Sequence, residues 1–357
     1  MRITKLWLQD FRSYESLELP LDVGLTAIVG ANGVGKTNLL EALGLLATLK
    51  SFRGAPTESL IRRGADTAIV RAEGVRDDRD VLIELELGRR RSRAQVNRQR
   101  LQRSRDLLGA LRITVFAPDD LALVKDGPSI RRGYLDDVLV ALDPRVDAVL
   151  RDIDRILKQR NALLRQSHGR PDEAALATLD VWDAKLAATG TELTDRREVL
   201  VDRLLPLVAQ SYEVLAGQAV PVGADYVRSW TTDTMAEALA TERQTDVRRG
   251  VTSIGPHRDE LALTLNGLSA RTEASQGEQR TLALALRLAG HLLVSEVLGE
   301  PPLLLLDDVL SELDPDRSSA LLTNLPVGQT VITSASALPP QTKPDRVLHF
   351  DEAGNPR

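Results

Sequence analysis

Residues Gly30-Ala31-Asn32-Gly33-Val34-Gly35-Lys36-Thr37 match the phosphate-binding pattern G-x-x-x-x-G-K-[ST] at every fixed position. They follow the apolar run Leu25-Thr26-Ala27-Ile28-Val29 and precede Asn38-Leu39-Leu40-Glu41-Ala42-Leu43, so the spacing predicts a buried strand, a loop and a helix in that order. The motif requires that context. Its glycines let backbone N–H groups turn inward around a β-phosphate, Lys36 places a positive charge on the β- and γ-phosphates, and the Thr37 hydroxyl is a Mg²⁺ ligand.

Composition sets the outer bounds. A chain of 357 residues with 43% hydrophobic residues builds a real core, and its length corresponds to about two domains. Zero cysteines exclude disulfides, thiolate zinc sites, iron–sulfur clusters and cysteine nucleophiles. No run of 18 apolar residues is present, and Met1-Arg2-Ile3-Thr4-Lys5 alternates like a strand, so a cytoplasmic protein without a membrane segment is expected. The net charge is −5, yet Arg89 to Arg105 contains eight arginines (89, 90, 91, 93, 98, 100, 103 and 105) and no acid, leaving −13 on the rest of the chain. Any attraction for nucleic acid must therefore be local.

In chain order, residues 3–11 and 15–19 read as a strand pair, and the helix after Lys36 runs to about Lys50. Arg53, just beyond it, stands either near a phosphate or as a solvated loop arginine. Residues 69–73, 80–87 and 94–97 alternate as half-buried strands of a meander whose turns carry the arginines. Such a run is either a solvated face or a contact to DNA phosphates, for which Arg89, Arg90, Arg91, Arg93, Arg98 and Arg100 are the candidates. The absence of aromatic residues there leans toward duplex DNA.

After the short strand 113–116 the period changes. Asp143-Pro144 caps a helix with apolar residues at Val146, Val149, Ile153, Ile156 and Leu163, skipping Arg160. Beyond the turn 167–171 a second series runs Ala175, Leu179, Trp182, Leu186, Thr189 and Leu193. Two such helices make an antiparallel hairpin arm, each of some 24 residues and about 36 Å. After Pro206 the mixed α/β pattern returns, with strands near 219–230 and 260–265 and, between them, a helix whose Thr234 and Glu237 are spaced as a capping box.

Leu303-Leu304-Leu305-Leu306-Asp307-Asp308 predicts a fully buried strand ending in two carboxylates. Asp307 belongs where a Mg²⁺-side acid sits in such a sheet, and Asp308 is placed to orient or deprotonate an attacking water. Upstream, Ser275-Gln276-Gly277-Glu278-Gln279 precedes an apolar helix, Leu282 to Leu298. Backbone N–H groups and the helix dipole make that start an anion site. With one phosphate site already at 30–37, the second makes sense as the cap on the nucleotide of another subunit.

The phosphate loop, Ser275–Gln279, Asp307-Asp308 and Ser311-Glu312-Leu313-Asp314 together resemble the set found in ABC-type ATPases, in the variants of the RecF recombination mediator family. Similar to that family too are Asp10–Tyr14, Phe116–Leu121, Arg131–Asp136 and Gly255-Pro256-His257-Arg258-Asp259, so the likeness spans nearly the whole chain. It implies an α/β P-loop ATPase head of the ABC type, like those of chromosome-maintenance proteins, with an inserted α-helical hairpin lobe. The expected division is 1–128 and 217–357 for the head and 129–216 for the arm. The resemblance further implies ATP and Mg²⁺ as cofactors and an ATP-dependent homodimer that clamps double-stranded DNA near single-strand gaps and junctions. RecO and RecR family partners, recombinase loading, DNA replication and repair, and the SOS response follow from the same likeness.

Departures from the wider ABC pattern are Asp308 where transporters carry Glu, no histidine after Thr330–Ser334, and no clear glutamine around Phe116–Asp120. The first two fit a slow hydrolytic switch. A transporter-type cassette is disfavoured because 239 residues separate Lys36 from Ser275. A metabolite phosphotransferase leaves the second anion site and the arginines without a role.

Overall fold

The computed structural model describes residues 1–339, 342–351, 354 and 356. Two compact units share the chain: Met1–Asp120, Gln210–Ala219 and Arg280–Arg357 form one, and Leu121–Ala209 and Val220–Gln279 form the other. Residues 220–279, assigned to the head from sequence, thus cluster with the arm.

The first unit opens with β1 (Arg2–Phe11), β2 (Tyr14–Pro20) and β3 (Leu25–Val29), followed by α1 (Lys36–Thr48) and α2 (Thr57–Leu60). A meander of β4 (Thr67–Arg76), β5 (Arg79–Gly88), β6 (Arg93–Val96) and β7 (Gln99–Arg100) precedes β8 (Ile113–Phe116). The second unit contains α3 (Ala122–Lys125), α4 (Pro128–Leu142), α5 (Val146–Gln166) and most of α6 (Glu173–Ala216). It continues with β9 (Val222–Val227), α7 (Met235–Arg249), β10 (Glu260–Leu265) and β11 (Leu268–Ser269). Then α8 (Gln276–Leu298) leads back to β12 (Leu303–Asp307), α9 (Pro315–Thr323), β13 (Thr330–Ser334) and β14 (Arg346–His349).

Two sheets build the first unit. The parallel one has order β14-β3-β13-β12-β8, and the antiparallel one has order β2-β1-β4-β5-β6-β7. Central parallel strands are covered on both faces, and every residue of Leu303–Asp307 and Thr330–Ser334 is buried accordingly. The antiparallel strands alternate instead: Ile3, Leu6, Leu8, Val70, Ala72, Ile83 and Leu85 face α1 in one core, while Trp7, Arg71 and Glu84 line up across the other face by register. Helix α8 is long and apolar enough to cross a membrane, but most of it is buried in the protein.

In the second unit α5 and α6 form the expected antiparallel hairpin, with Leu164 against Leu179 and Ile156 against Leu186. Three features differ from the expectation. Helix α6 is 44 residues long and runs through Pro206, because Leu200, Leu204, Val208, Tyr212 and Leu215 continue its buried stripe and their packing outweighs one lost backbone bond. Asp143 lies at the end of α4, and α5 starts two residues later than its Asp-Pro signal predicts, after Arg145. Arg160, skipped by the apolar series, is fully buried and donates to Asp183 at 2.6 Å, Asp246 at 2.7 Å and Thr252 Oγ1 at 2.9 Å, which pins α7 onto the hairpin. The Thr234–Glu237 capping box forms as read.

Candidate nucleotide site

Strand β13 lies between β3 and β12, so the loop after β3 and the carboxylates ending β12 emerge at the same edge of the parallel sheet. Ligands of such sheets bind beyond the carboxyl ends of the strands. Gly33 and Gly35 adopt φ of +88° and +103°, a left-handed region that side chains disfavour. A Cβ on Gly35 would stand 2.7 Å from Tyr14 Oη and 3.1 Å from Ser13 Oγ. Ser13 also accepts from Asn38 Nδ2 at 3.1 Å. The β1–β2 turn thus walls the loop, a contribution of Ser13 and Tyr14 that no local sequence signal assigns.

Lys36 is 6% exposed, and its Nζ donates to the carbonyls of Gly30 at 2.7 Å and Ala31 at 2.8 Å. Burial lowers its pKa, opposed by the nearby charges of Asp308 and Asp307. Thr37 Oγ1 donates to Asp307 Oδ1 at 2.9 Å, and Thr333 Oγ1, from β13, donates to the same oxygen at 2.9 Å. Burial raises the Asp307 pKa, while those two hydroxyls and the charge of Arg53 pull it down and Asp308 pushes it up. Asp308 sits at φ +49° with its N–H on Thr333 Oγ1, so its side chain leaves the strand in a different direction. Thr333 holds the Asp307 carboxylate and the Asp308 backbone N–H, and nothing in the local sequence marks it beyond its place on a buried strand.

Arg53 is exposed on the loop after α1 and lies near enough to Asp307 to act on it. That loop is held from below. Ser51 Oγ bonds fully buried Glu41, which accepts Arg12 Nε and Nη2 at 2.7 Å each.

The segment Ser275–Gln279 lies in the second unit and forms the start of α8. Ser275 and Glu278 form a reciprocal cap: Glu278 Oε2 accepts the Ser275 N–H at 2.8 Å and hydroxyl at 2.7 Å, and Ser275 Oγ accepts the Glu278 N–H at 3.3 Å. Gln279 is buried and donates to the carbonyls of Ala270 and Arg271. Gln276 is exposed and Gly277 half-buried on the first turn.

The antiparallel sheet divides the arginine run in two. Arg89, Arg90 and Arg91 occupy the β5–β6 turn, and Ser104 Oγ bonds the Ser92 carbonyl, which returns Arg103 and Arg105 to the same end. This is also the end of the β1–β2 turn that touches the phosphate loop, since Arg62 N–H bonds the Asp10 carbonyl and Thr67 pairs with Gly88. Arg98 lies at the opposite end, in the β6–β7 turn, beside Asp80 and Glu73. Arg93 pairs with Glu86 at 3.5 Å, and Arg100 faces Gln95. Arg90 and Arg91 have no carboxylate partner among the described residues.

The likenesses of this chain to known proteins are specific. The RecF/RecN/SMC N terminal domain model matches residues 2–335. The DNA replication and repair protein RecF of Frankia alni is 47% identical over 94% of this chain and 93% of its own, and that of Streptomyces avermitilis is 46% identical over 94% of each. The chain belongs to the RecF family. A solved RecF, the recombination mediator protein of the RecFOR pathway as RecF-ATP, superposes with a TM-score of 0.90 at 28% identity, covering 99% of this chain and 96% of that one. The Smc head domain of Pyrococcus furiosus, at 18% identity and a TM-score of 0.58, shares the fold. The ABC-type ATPase head expected from sequence is thus the architecture of this RecF family member.

Proposed function

We propose that this chain is an ATP-dependent DNA-binding switch of recombinational repair. The observation that carries the reading is the convergence of Lys36, Thr37, Asp307 and Asp308 at one sheet edge, with Thr37 and Asp307 sharing a hydrogen bond. The Thr37 hydroxyl and Asp307 carboxylate offer the oxygen-only donor set that Mg²⁺ takes, and the metal would offset charge on the β- and γ-phosphates. Lys36 then exchanges its two loop carbonyls for phosphate oxygens, and Asp308 orients the attacking water. That RecF has been solved as RecF-ATP supports the choice of nucleotide.

Dimerisation is the reading that gives both phosphate-binding elements of the chain, Gly30–Thr37 and Ser275–Gln279, a role at one nucleotide. Ser275 and Gly277 of one copy close the nucleotide held by Lys36 and Thr37 of another, so a two-fold dimer contains the contact twice. ATP binding assembles the dimer and slow hydrolysis releases it. The exposed arginines at the phosphate-loop end of the antiparallel sheet supply contacts to the backbone of duplex DNA near gaps. RecR and RecO family proteins are the partners in recombinase loading, in keeping with the pathway of the solved RecF.

Sedimentation of the full chain with and without ATP and duplex DNA tests the reading. ATP should convert monomer to dimer, Ser275→Arg should abolish that conversion while leaving ATP binding to the monomer intact, and duplex DNA should strengthen it. A chain that remains monomeric with saturating ATP would overturn it.

A further inference from the structure

Two segments that share in the family likeness, Arg131–Asp136 and Gly255–Asp259, have no role in the site above. In the second unit they meet. Arg131, on the first turn of α4, is 4% exposed. Its Nε and Nη2 each donate to one oxygen of Glu260 at 2.8 Å, and its Nη1 donates to the carbonyls of Leu123, Val124 and Asp126 at 2.9 to 3.4 Å. Arg132 donates to the Asp259 carbonyl at 2.7 Å. Asp259, fully buried, accepts Ser229 N–H at 2.8 Å, Tyr226 Oη at 2.7 Å and Thr194 Oγ1 at 3.3 Å. Arg197 grips both oxygens of Asp136 at 2.9 Å and the Pro256 carbonyl at 2.7 Å.

This network fixes where β10 begins. The other end of β10 turns through Asn266 and Gly267 into β11 and residues 270–275, which lead directly to Ser275. Arg271 Nε reaches back to the Lys125 carbonyl at 3.2 Å, and buried Gln279 holds the carbonyls of Ala270 and Arg271. Arg131 and Arg271 thus both seize carbonyls at the end of α3, the groups a helix terminus leaves without internal partners. Only a guanidinium, with five donors in a planar fork, can pair with a carboxylate and hold three carbonyls at once.

We propose that Arg131 and Glu260, with the buried Asp259 network beside them, are positioning residues that hold Ala270–Gln279 in the conformation that closes on the nucleotide of a second copy of this chain. This rests on the composite-site reading above. On that reading the frame acts on association through Ala270–Gln279 rather than on ATP binding by the monomer.

Mixing experiments with full-length variants separate the roles. Glu260→Gln keeps shape and loses charge, and Arg131→Met is the stronger lesion. If Arg131→Met does not fold, Glu260→Gln carries the same test. Each should bind ATP as a monomer within twofold of wild type, while the concentration at which ATP drives dimerisation rises at least tenfold. Mixed with Lys36→Ala, which supplies a sound closing segment, each should regain partial association. Mixed with Ser275→Arg, which is damaged in the same half, neither should. Wild-type association of Glu260→Gln, or equal recovery with both partners, overturns the proposal. Failure of Ser275→Arg and Lys36→Ala to complement one another would instead overturn the composite site on which it rests.

Discussion

Thr37 and Asp307, 270 residues apart in the chain, share a hydrogen bond of 2.9 Å. It joins the first turn of α1 to the tip of β12, so the Gly30–Thr37 loop and the acid proposed for the metal side are held in register with one another. Asp307 is 4% exposed, and its Oδ1 has a second hydroxyl donor in Thr333. Thr37→Val leaves that oxygen with Thr333 alone and should cost about 1 kcal/mol of stability. ATP affinity should fall markedly in Mg²⁺ and little in EDTA. Equal loss in both, measured by titration calorimetry, would remove Thr37 from the metal side.

Lys36→Ala deletes a buried ammonium that holds two loop carbonyls. The fold should survive. Two charge-assisted bonds to phosphate are worth about 3 kcal/mol, so ATP affinity should fall by about a hundredfold. Affinity within twofold of wild type contradicts the assignment.

Asp308 occupies the left-handed region, which Asn tolerates as well as Asp. Asp308→Asn should therefore keep the backbone, ATP binding and ATP-dependent dimerisation. Hydrolysis should slow by about a hundredfold or more, the usual contribution of a general base. A single-turnover rate equal to wild type excludes Asp308 from the chemistry.

Replacing Arg89, Arg90 and Arg91 by Ser should weaken duplex binding and flatten its salt dependence, by about 0.9 in log–log slope for each phosphate left without its arginine. Arg98→Ser, at the far end of the sheet beside Asp80 and Glu73, should leave the slope unchanged. The reverse result would move the DNA surface to the other end.

His291 is 2% exposed in α8, with Nδ1 3.1 Å from Thr114 Oγ1 and no partner for Nε2 among the described residues. Burial pushes its pKa from 6.5 down to about 4. The unfolded chain therefore binds the proton first, and stability is lost as the pH falls from 6.5 toward 4, by about 3 kcal/mol at the lower end. Denaturant midpoints of His291→Gln should show a shallower fall over that range. An unchanged profile would assign the acid loss to other groups.

Elements whose chemistry is local were legible from the chain alone. The phosphate loop, the buried β12 ending in Asp307 and Asp308, and the Thr234 cap could be read because strand, turn and capping preferences act over a few residues. The hairpin was legible in the apolar periods of 146–163 and 175–193, and the family likeness supplied the head. Features that depend on partners distant in the chain emerged only on folding. Arg160 reads as a break in an apolar stripe, yet Asp183 and Asp246 make it a core residue. Pro206 reads as a helix end, yet the packing of Val208, Tyr212 and Leu215 carries α6 past it. Eight neighbouring arginines read as one patch, yet strand pairing sends Arg98 to one end of the sheet and Arg89–Arg91 to the other. Thr333 and the Arg131–Glu260 pair carry no local signal, since a hydroxyl or a guanidinium acquires its role from the group that folding sets within 3 Å of it.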